Sequence, residues 1–319
     1  IRWGLLSTAL INRKLIGGAR VAEGVELAAV ASRDLDRSRA YAGEHGIPIA
    51  YGSYEELLAD PNIDAVYIPL PNALHHEWTL RALEAGKHVL CEKPYSRHPA
   101  EVTQAFDLAE RNGLVLSEAY MWRYNPQTKT LAKLVKDGVI GELRLISSSF
   151  TWPCDAPGDI RLDPALDGGA LLDVGCYCVS AARLLAGEPD AVQAQQVPSA
   201  SGVDALLTGQ LRFPGGVLAT FDCGLQVPDR SSLEVMGTEG TIVVNDPWHC
   251  FEPGLELRLQ GKQPEPVPVP LANSYALELE AMGAAIRGEE TTLLGREDAL
   301  GQSRTLSALL DASTEAGPR

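Results

Sequence analysis

The sequence predicts an α/β chain of two domains: a doubly wound parallel sheet over residues 1–122, then an open-faced, mostly antiparallel sheet with helices on one face over residues 123–319. Three observations carry this. Short apolar runs alternate with helical patterns through the first 120 residues, which is the rhythm of βαβ units. From Val192 to Leu259 the texture changes to strand-like stretches punctuated by Phe213-Pro-Gly-Gly216, Gly237-Thr-Glu-Gly240 and Pro253-Gly254. A length of 319 residues suits two domains better than one and is ample for a core without disulfide or metal staples.

The elements follow in order. Ile1–Leu6 and Val25–Ala31 are apolar strands, with a short helix over Leu10–Ala19 between them. Leu35–Glu44 is helical, with Asp34 as its N-cap. Ser53 and Glu56 form a capping box for a helix over Tyr54–Ala59. Asp64–Leu70 is a strand rich in β-branched and aromatic residues, Ala73–Ala85 a helix closed by Gly86, and Lys87–Cys91 a strand. A helix over Ala100–Asn112, stopped by Gly113, and a strand over Leu114–Ser117 complete the first set. Beyond Asn125 come a helix over Gln127–Lys136, a strand over Leu143–Thr151 and a helix over Ala170–Leu185. Pro264 to Pro270 carries a proline at every second position, so it is an edge strand or an extended loop; helices over Tyr275–Arg287 and Gly295–Glu315 finish the chain.

The net charge is −15. Such a surface repels nucleic acid and anionic lipid, so neither is an expected partner, although a pocket can still be basic enough for an anionic cofactor. No apolar run of membrane-spanning length stands out, and no basic–apolar–small leader opens the chain, which starts at Ile1 directly in a strand, so a few leading residues are expected to precede it. The six cysteines are scattered without a C-x-x-C pair, which predicts reduced, buried thiols, no metal site and a cytoplasmic protein.

Ligands of open parallel sheets bind at the carboxyl ends of the strands. At the first such end, Ser7, Ala9 and Asn12 occupy the three glycine positions of G-x-G-x-x-G. The glycines are gone, but Ser7 and Ala9 are small, and the Ser7 and Thr8 hydroxyls and the helix start at Ile11 suit phosphate. The second strand ends in Ser32-Arg33, with Arg37 one turn on. Arginine there suits a ribose 2′-phosphate, and hence NADP, with NAD as the alternative if Asp34 takes the ribose hydroxyl instead. Leu70-Pro71-Asn72 turns into a helix bearing His75, at the edge of the expected crevice. Glu92-Lys93-Pro94 follows a strand directly, and the proline holds Lys93 out of the helical region, presented at the sheet end. Farther on, Asp173 and Tyr177 stand four apart, on one helical face. A phenol becomes an acid–base group where a nearby ammonium lowers its pKa.

Together, Glu92-Lys93-Pro94, Pro71-Asn72-x-x-His75 and Gly168-Gly169-x-x-x-Asp173-x-Gly175-x-Tyr177 resemble the glucose–fructose oxidoreductase/inositol dehydrogenase (Gfo/Idh/MocA) family. The run Glu118-Ala-Tyr-Met-Trp-Arg-Tyr-Asn-Pro126, with Tyr rather than His at 177, resembles its branch of dimeric dihydrodiol dehydrogenases and NADP-linked D-xylose 1-dehydrogenases. The resemblance spans nearly the whole chain. It implies a Rossmann domain followed by a sheet domain that often forms a homodimer. It also implies Lys93 and Tyr177 as the catalytic pair with Asp173 nearby, and Arg123, Trp152 and Arg161 lining cofactor or substrate. The function it implies is NADP-dependent oxidation of a small sugar, polyol or trans-dihydrodiol without metal. A keto-sugar reductase, an enzyme that recycles a retained cofactor between two sugars, and a non-catalytic dinucleotide sensor stay open as alternatives.

Overall fold

The computed structural model describes every residue except 155, 157 and 316–319, and the backbone alone at 315. The chain divides into two compact units, residues 1–121 with 273–300 and residues 122–272 with 301–319.

The first unit is a parallel sheet. Its strands are β1 (Arg2–Leu6), β2 (Glu26–Ala31), β3 (Ile49–Tyr51), β4 (Ala65–Ile68), β5 (His88–Glu92) and β6 (Leu116–Ala119), in the spatial order β3-β2-β1-β4-β5-β6. The order reverses between β1 and β4, which opens a crevice at the carboxyl ends of the strands. The helices between them are α1 (Asn12–Ala19), α2 (Leu35–His45), α3 (Tyr54–Ala59), α4 (His75–Glu84) and α5 (Pro99–Arg111). Strand residues such as Leu6, Ala29, Val66, Ile68 and Val89 are wholly buried between the helical layers. Each large aliphatic side chain so removed from water contributes roughly 1.5–3 kcal/mol.

The caps follow the sequence closely. Asp34 accepts the Asp36 and Arg37 amides at the start of α2, and Ser53 Oγ accepts the Glu56 amide at the start of α3. The Glu56 carboxylate takes the Gly52 amide at 3.0 Å, one residue ahead of the amide a capping box engages. Strand β3, three half-buried residues long, has no sequence prediction behind it. Helix α8 (Ser274–Ile286) joins this unit by packing on α1. Gly18 permits that approach, since a Cβ there would lie 2.6 Å from Tyr275 Cβ.

The second unit carries an eight-stranded sheet of β7 (Leu143–Thr151), β8 (Ala191–Pro198), β9 (Asp204–Arg212), β10 (Leu218–Gly224), β11 (Arg230–Gly237), β12 (Gly240–Asn245), β13 (Gly254–Leu259) and β14 (Glu265–Val267). The order is β14-β13-β12-β11-β7-β10-β9-β8. β7 and β10 run parallel, and the other neighbours are antiparallel. The proline-spaced β14 lies at the edge, as the missing N–H donors require. Helices α6 (Pro126–Lys136), α7 (Cys176–Ala186) and the later part of α9 (Arg296–Glu315) belong here. Alternation in β7 buries Ile146, Ser148 and Phe150. Ser147 lies in the opposite row, in register with Thr220 and Glu234; Thr220 in turn pairs with Gln210, and Gln210 with Gln193.

Where the sequence analysis expects no apolar run of membrane-spanning length, the segment Pro164–Ala186 has the length and hydropathy of a membrane-crossing helix. Of its most apolar window, 78% is buried inside the protein, as in the core helix of a folded domain.

Candidate active site

Two sets of candidate side chains stand one in each unit. In the first, the turn after β1 does without glycine. Ser7 takes a φ of +140°. Its hydroxyl accepts the Ala9 amide at 3.2 Å and donates to Pro69 O at 3.4 Å. The buried Asn12 side chain donates to Ser7 O at 2.7 Å. The turn is thus held by side-chain bonds where a glycine fingerprint relies on backbone freedom. Ser7, Thr8, Ala9 and Ile11 are all half-buried at the start of α1. Hydroxyls and amides gathered at a helix N-terminus make a donor set that fits the pyrophosphate of a dinucleotide.

At the end of β2, buried Ser32 brackets Asp34, donating to its carbonyl and accepting its amide at 3.0 and 3.1 Å. The Asp34 carboxylate is engaged in capping α2. Arg33 and Arg37 are the exposed cations at this strand end. Burial pushes the Tyr54 phenol up, and both guanidiniums partly offset it, so both bear on the same spot. A 2′-phosphate fits there.

At the end of β4, Leu70 is buried, and Pro71 and Asn72 are half-buried and open a short turn into α4. His75 is fully buried, its Nδ1 2.9 Å from Pro94 O and its Nε2 2.8 Å from Leu70 O. Burial, with the Lys93 charge in support, lowers its pKa to about 4. The ring ties together the loops that follow β4 and β5. Lys93 stands at the end of β5, half-buried, before a cis peptide bond to Pro94. The Glu92 carboxylate accepts the Tyr67 hydroxyl at 2.5 Å and the Lys93 amide at 3.2 Å. Burial, then the Glu92 charge, drives the Tyr67 phenol far above its usual range. The same two causes raise the carboxyl of buried Glu278 on α8.

In the second unit the helix ahead of α7 widens into a π-helical turn over Leu171–Gly175, a feature frequent at functional sites. It carries Asp173. One Asp173 oxygen accepts Trp152 Nε1–H at 3.1 Å and pairs with Arg161 Nε at 3.2 Å. Arg161 also donates to Asp159 at 3.2 Å, and its guanidinium lies 5.2 Å from the Trp152 ring centre. Burial disfavours the Arg161 charge, but the two carboxylates outweigh it and hold the pKa above its ordinary value. Tyr177 is buried, edge-on to Phe150 at 5.4 Å and tilted against Trp248 at 6.1 Å. Trp248 is itself fixed by donating to Ser149 O at 2.9 Å. Arg123 donates to Ser180 Oγ at 3.0 Å on α7. Asp204 accepts the Leu171 amide at 2.7 Å beneath the π turn. Gly169, at φ +119°, is required there because a Cβ would collide with the Asp204 carboxylate.

Sequence reasoning grouped Trp152, Arg161, Asp173 and Tyr177, and the structure brings the first three into direct contact. It missed Asp159, Phe150, Asp204, Trp248 and Glu278. Period-two alternation in β7 points Phe150 inward; Asp159 meets Arg161 two residues on, and the contacts of Asp204, Trp248 and Glu278 are tertiary, with no local pattern to announce them. The six cysteines are free and buried. Among the described residues no group of three His, Cys, Asp or Glu is set to hold a metal.

Comparison with known proteins agrees with this architecture. Residues 3–120 match the model of the oxidoreductase family with an NAD-binding Rossmann fold, and residues 128–243 match the GFO/IDH/MocA C-terminal domain. The D-xylose 1-dehydrogenase (NADP(+)) 2 of Haloferax volcanii is 40% identical over 318 residues, 98% of this chain and 97% of that protein. The trans-1,2-dihydrobenzene-1,2-diol dehydrogenase of Sus scrofa is 35% identical over 277 residues, 85% of this chain and 81% of that protein. The crystal structure of KijD10, a 3-ketoreductase from Actinomadura kijaniata in complex with NADP and TDP-benzene, superposes with a TM-score of 0.91 at 32% identity, covering 98% of this chain and 97% of that one. With both domains matched in order and relatives aligned almost end to end, the chain belongs to the Gfo/Idh/MocA family of oxidoreductases, with an NAD-binding Rossmann domain at its front.

Proposed function

We propose that this protein is an NADP-dependent dehydrogenase that oxidises a small sugar or polyol, either an aldose at C1 or a trans-dihydrodiol, with Lys93 and Tyr177 as its acid–base pair. The observation that carries the reading is the pairing of Ser32 and Arg33 at the end of β2 with the Asp34 carboxylate engaged in capping α2. It ties Asp34 Oδ1 to the start of α2 and sets two exposed cations, Arg33 and Arg37, at the ribose end of the strand. The 40% identity to an NADP-linked xylose dehydrogenase supports the substrate class.

NADP⁺, when bound, supplies the hydride acceptor. Ser7, Thr8, Ala9 and Ile11 hold its phosphates, Ser32, Arg33 and Arg37 its 2′-phosphate, and Leu70, Pro71, Asn72, Glu92 and Arg123 complete its lining. His75 keeps the loops that present Asn72 and Lys93 in place. The Lys93 ammonium stabilises Tyr177 as the phenolate, which accepts the proton of the substrate hydroxyl and becomes the neutral phenol. Asp173, held by Trp152 and Arg161, accepts a hydroxyl of the substrate. A homodimer through the open face of the eight-stranded sheet is part of the proposal, supported by Val197 and Leu218, exposed at 59% and 49%. So is a cytoplasmic setting, supported by six free thiols.

A keto-sugar reductase is the second reading, favoured by the likeness to KijD10 along 98% of the chain. The test is an absorbance screen at the NADPH band with NADP⁺ and NAD⁺ in parallel. Its panel is D-xylose, D-glucose, other aldoses, myo-inositol and a trans-dihydrodiol. Turnover on one of these with preference for NADP⁺ is the expected result. Binding of NADP(H) with no turnover on any member refutes it.

A further inference from the structure

Resting on the reading of Asp173 and Tyr177 as substrate-facing, we propose that Asp204 is a positioning residue of the active site. From β9 it anchors the residue that opens the π turn, and so sets the directions of Asp173 and Tyr177.

A π turn holds one residue more than an α turn, so the helix beyond it is rotated by about 100°. Here the Cys176 amide reaches back to Leu171 O, which closes the turn. Asp173 lies inside the turn and Tyr177 just beyond it, so their mutual direction depends on where the turn opens. That point is fixed from the sheet. Asp204, buried at the start of β9, accepts the Leu171 amide at 2.7 Å. The Ala170 amide and its own amide also face the carboxylate. Amides at a helix start have no intrahelical partner, so a side chain that accepts them decides where the helix begins. Gly169 makes room for the carboxylate, and its carbonyl accepts the Asp173 amide at 3.0 Å. The hold thus passes directly to Asp173. At the far end, Gly175 rests on the neighbouring strand: a Cβ there would lie 2.7 Å from Cys223 Sγ on β10.

The anchor needs a carboxylate. Three amides converge on its two oxygens. Asparagine offers one oxygen and turns an NH2 donor toward the remaining amides, and alanine offers none. Burial pushes the Asp204 pKa up to about 6, so at neutral pH the group is ionised at a loss of stability. A local cost of this kind is the mark of a position that serves function.

The test compares the wild type with Asp204→Asn and Asp204→Ala at pH 7.5, below the melting temperature of each. Steady-state kinetics use the sugar that the wild type turns over, and calorimetric titration gives the Kd for NADP⁺. A misplaced reacting group is expected to lower kcat about tenfold in Asp204→Asn and about 100-fold in Asp204→Ala, with Kd changed less than about twofold. A residue that only stabilises the fold leaves kcat of the folded variants unchanged. Should Asp204→Ala fail to fold, Asp204→Asn alone decides. Unchanged kcat in the folded variants, or a Kd for NADP⁺ that weakens in step with kcat, overturns the proposal. Should the wild type turn over no sugar, the dehydrogenase reading falls, and the indole N–H signals of the five tryptophans in the NMR spectrum still decide this one. Trp152 donates its indole N–H to Asp173 at 3.1 Å, so its signal is expected to move in both variants. Those of Trp3 and Trp78, in the first unit, are expected to stay. A Trp152 signal that stays in place, or that moves together with those two, refutes the assignment.

Discussion

Asp204 offers a prediction that needs no ligand. Its side chain is almost wholly buried under the π turn that carries Asp173, where it accepts the Leu171 amide at 2.7 Å. Burial pushes its pKa up from 3.8 to about 6, against the pull of the backbone amides it faces. A carboxyl whose folded pKa lies above its unfolded value stabilises the fold most below the unfolded value, and that stability is lost as pH rises through the folded one. The window is therefore about pH 4 to 6, and at about 1.36 kcal/mol per unit the loss approaches roughly 3 kcal/mol. Asp204→Asn keeps an acceptor for the amide and cannot ionise. Urea denaturation of both proteins from pH 3.5 to 7.5, followed by tryptophan fluorescence, isolates the effect as a difference, because the other carboxylates cancel. Asparagine is expected to gain on aspartate by roughly 3 kcal/mol across that window, with the change centred between the two pKa values. A difference that stays flat with pH, or that turns against asparagine as pH rises, refutes the reasoning.

Other outcomes follow from the same contacts. Lys93→Met and Tyr177→Phe are each expected to lower kcat by about 10²–10⁴-fold with the melting temperature little changed, checked by steady-state kinetics and circular dichroism. Arg33→Ala is expected to raise KM for NADP⁺ by about tenfold or more while leaving NAD⁺ nearly untouched, since an arginine–phosphate bond is charge-assisted; equal loss with both cofactors contradicts the 2′-phosphate assignment. Trp248→Ala removes a fully buried ring that seats both Tyr177 and Phe150. It is expected to cost about 3–5 kcal/mol by chemical denaturation.

Much of this molecule is legible from periodicity and caps. β7 spans the predicted Leu143–Thr151, and Asp34 and Ser53 cap the helices they were expected to cap. What local pattern conceals is tertiary. β3 is three residues long and half-buried, too short to show alternation. The π turn at Leu171–Gly175 keeps a helical hydrophobic pattern while changing its hydrogen bonds, so Asp173 and Tyr177 look like one regular stripe in sequence. Nothing in the local pattern singles out Asp159, and only the fold shows it sharing Arg161 with Asp173. His75 follows a strand end as a ligand contact does, yet both its nitrogens are taken up by the Leu70 and Pro94 carbonyls. At the β1 turn the small Ser7 and Ala9 are legible in sequence, while the side-chain bonds by which Ser7 and Asn12 hold the turn without glycine are visible only in the fold.

The central claim is hydride transfer from a substrate carbon to a nicotinamide. The most direct measurement is mass spectrometry of the reduced cofactor formed from C1-deuterated D-xylose or D-glucose and NADP⁺. Oxidation of an aldose at C1 predicts NADPH carrying one deuterium per turnover, and Tyr177→Phe forming little of it. Reduced cofactor without the label, or none formed while both ligands bind, contradicts the account.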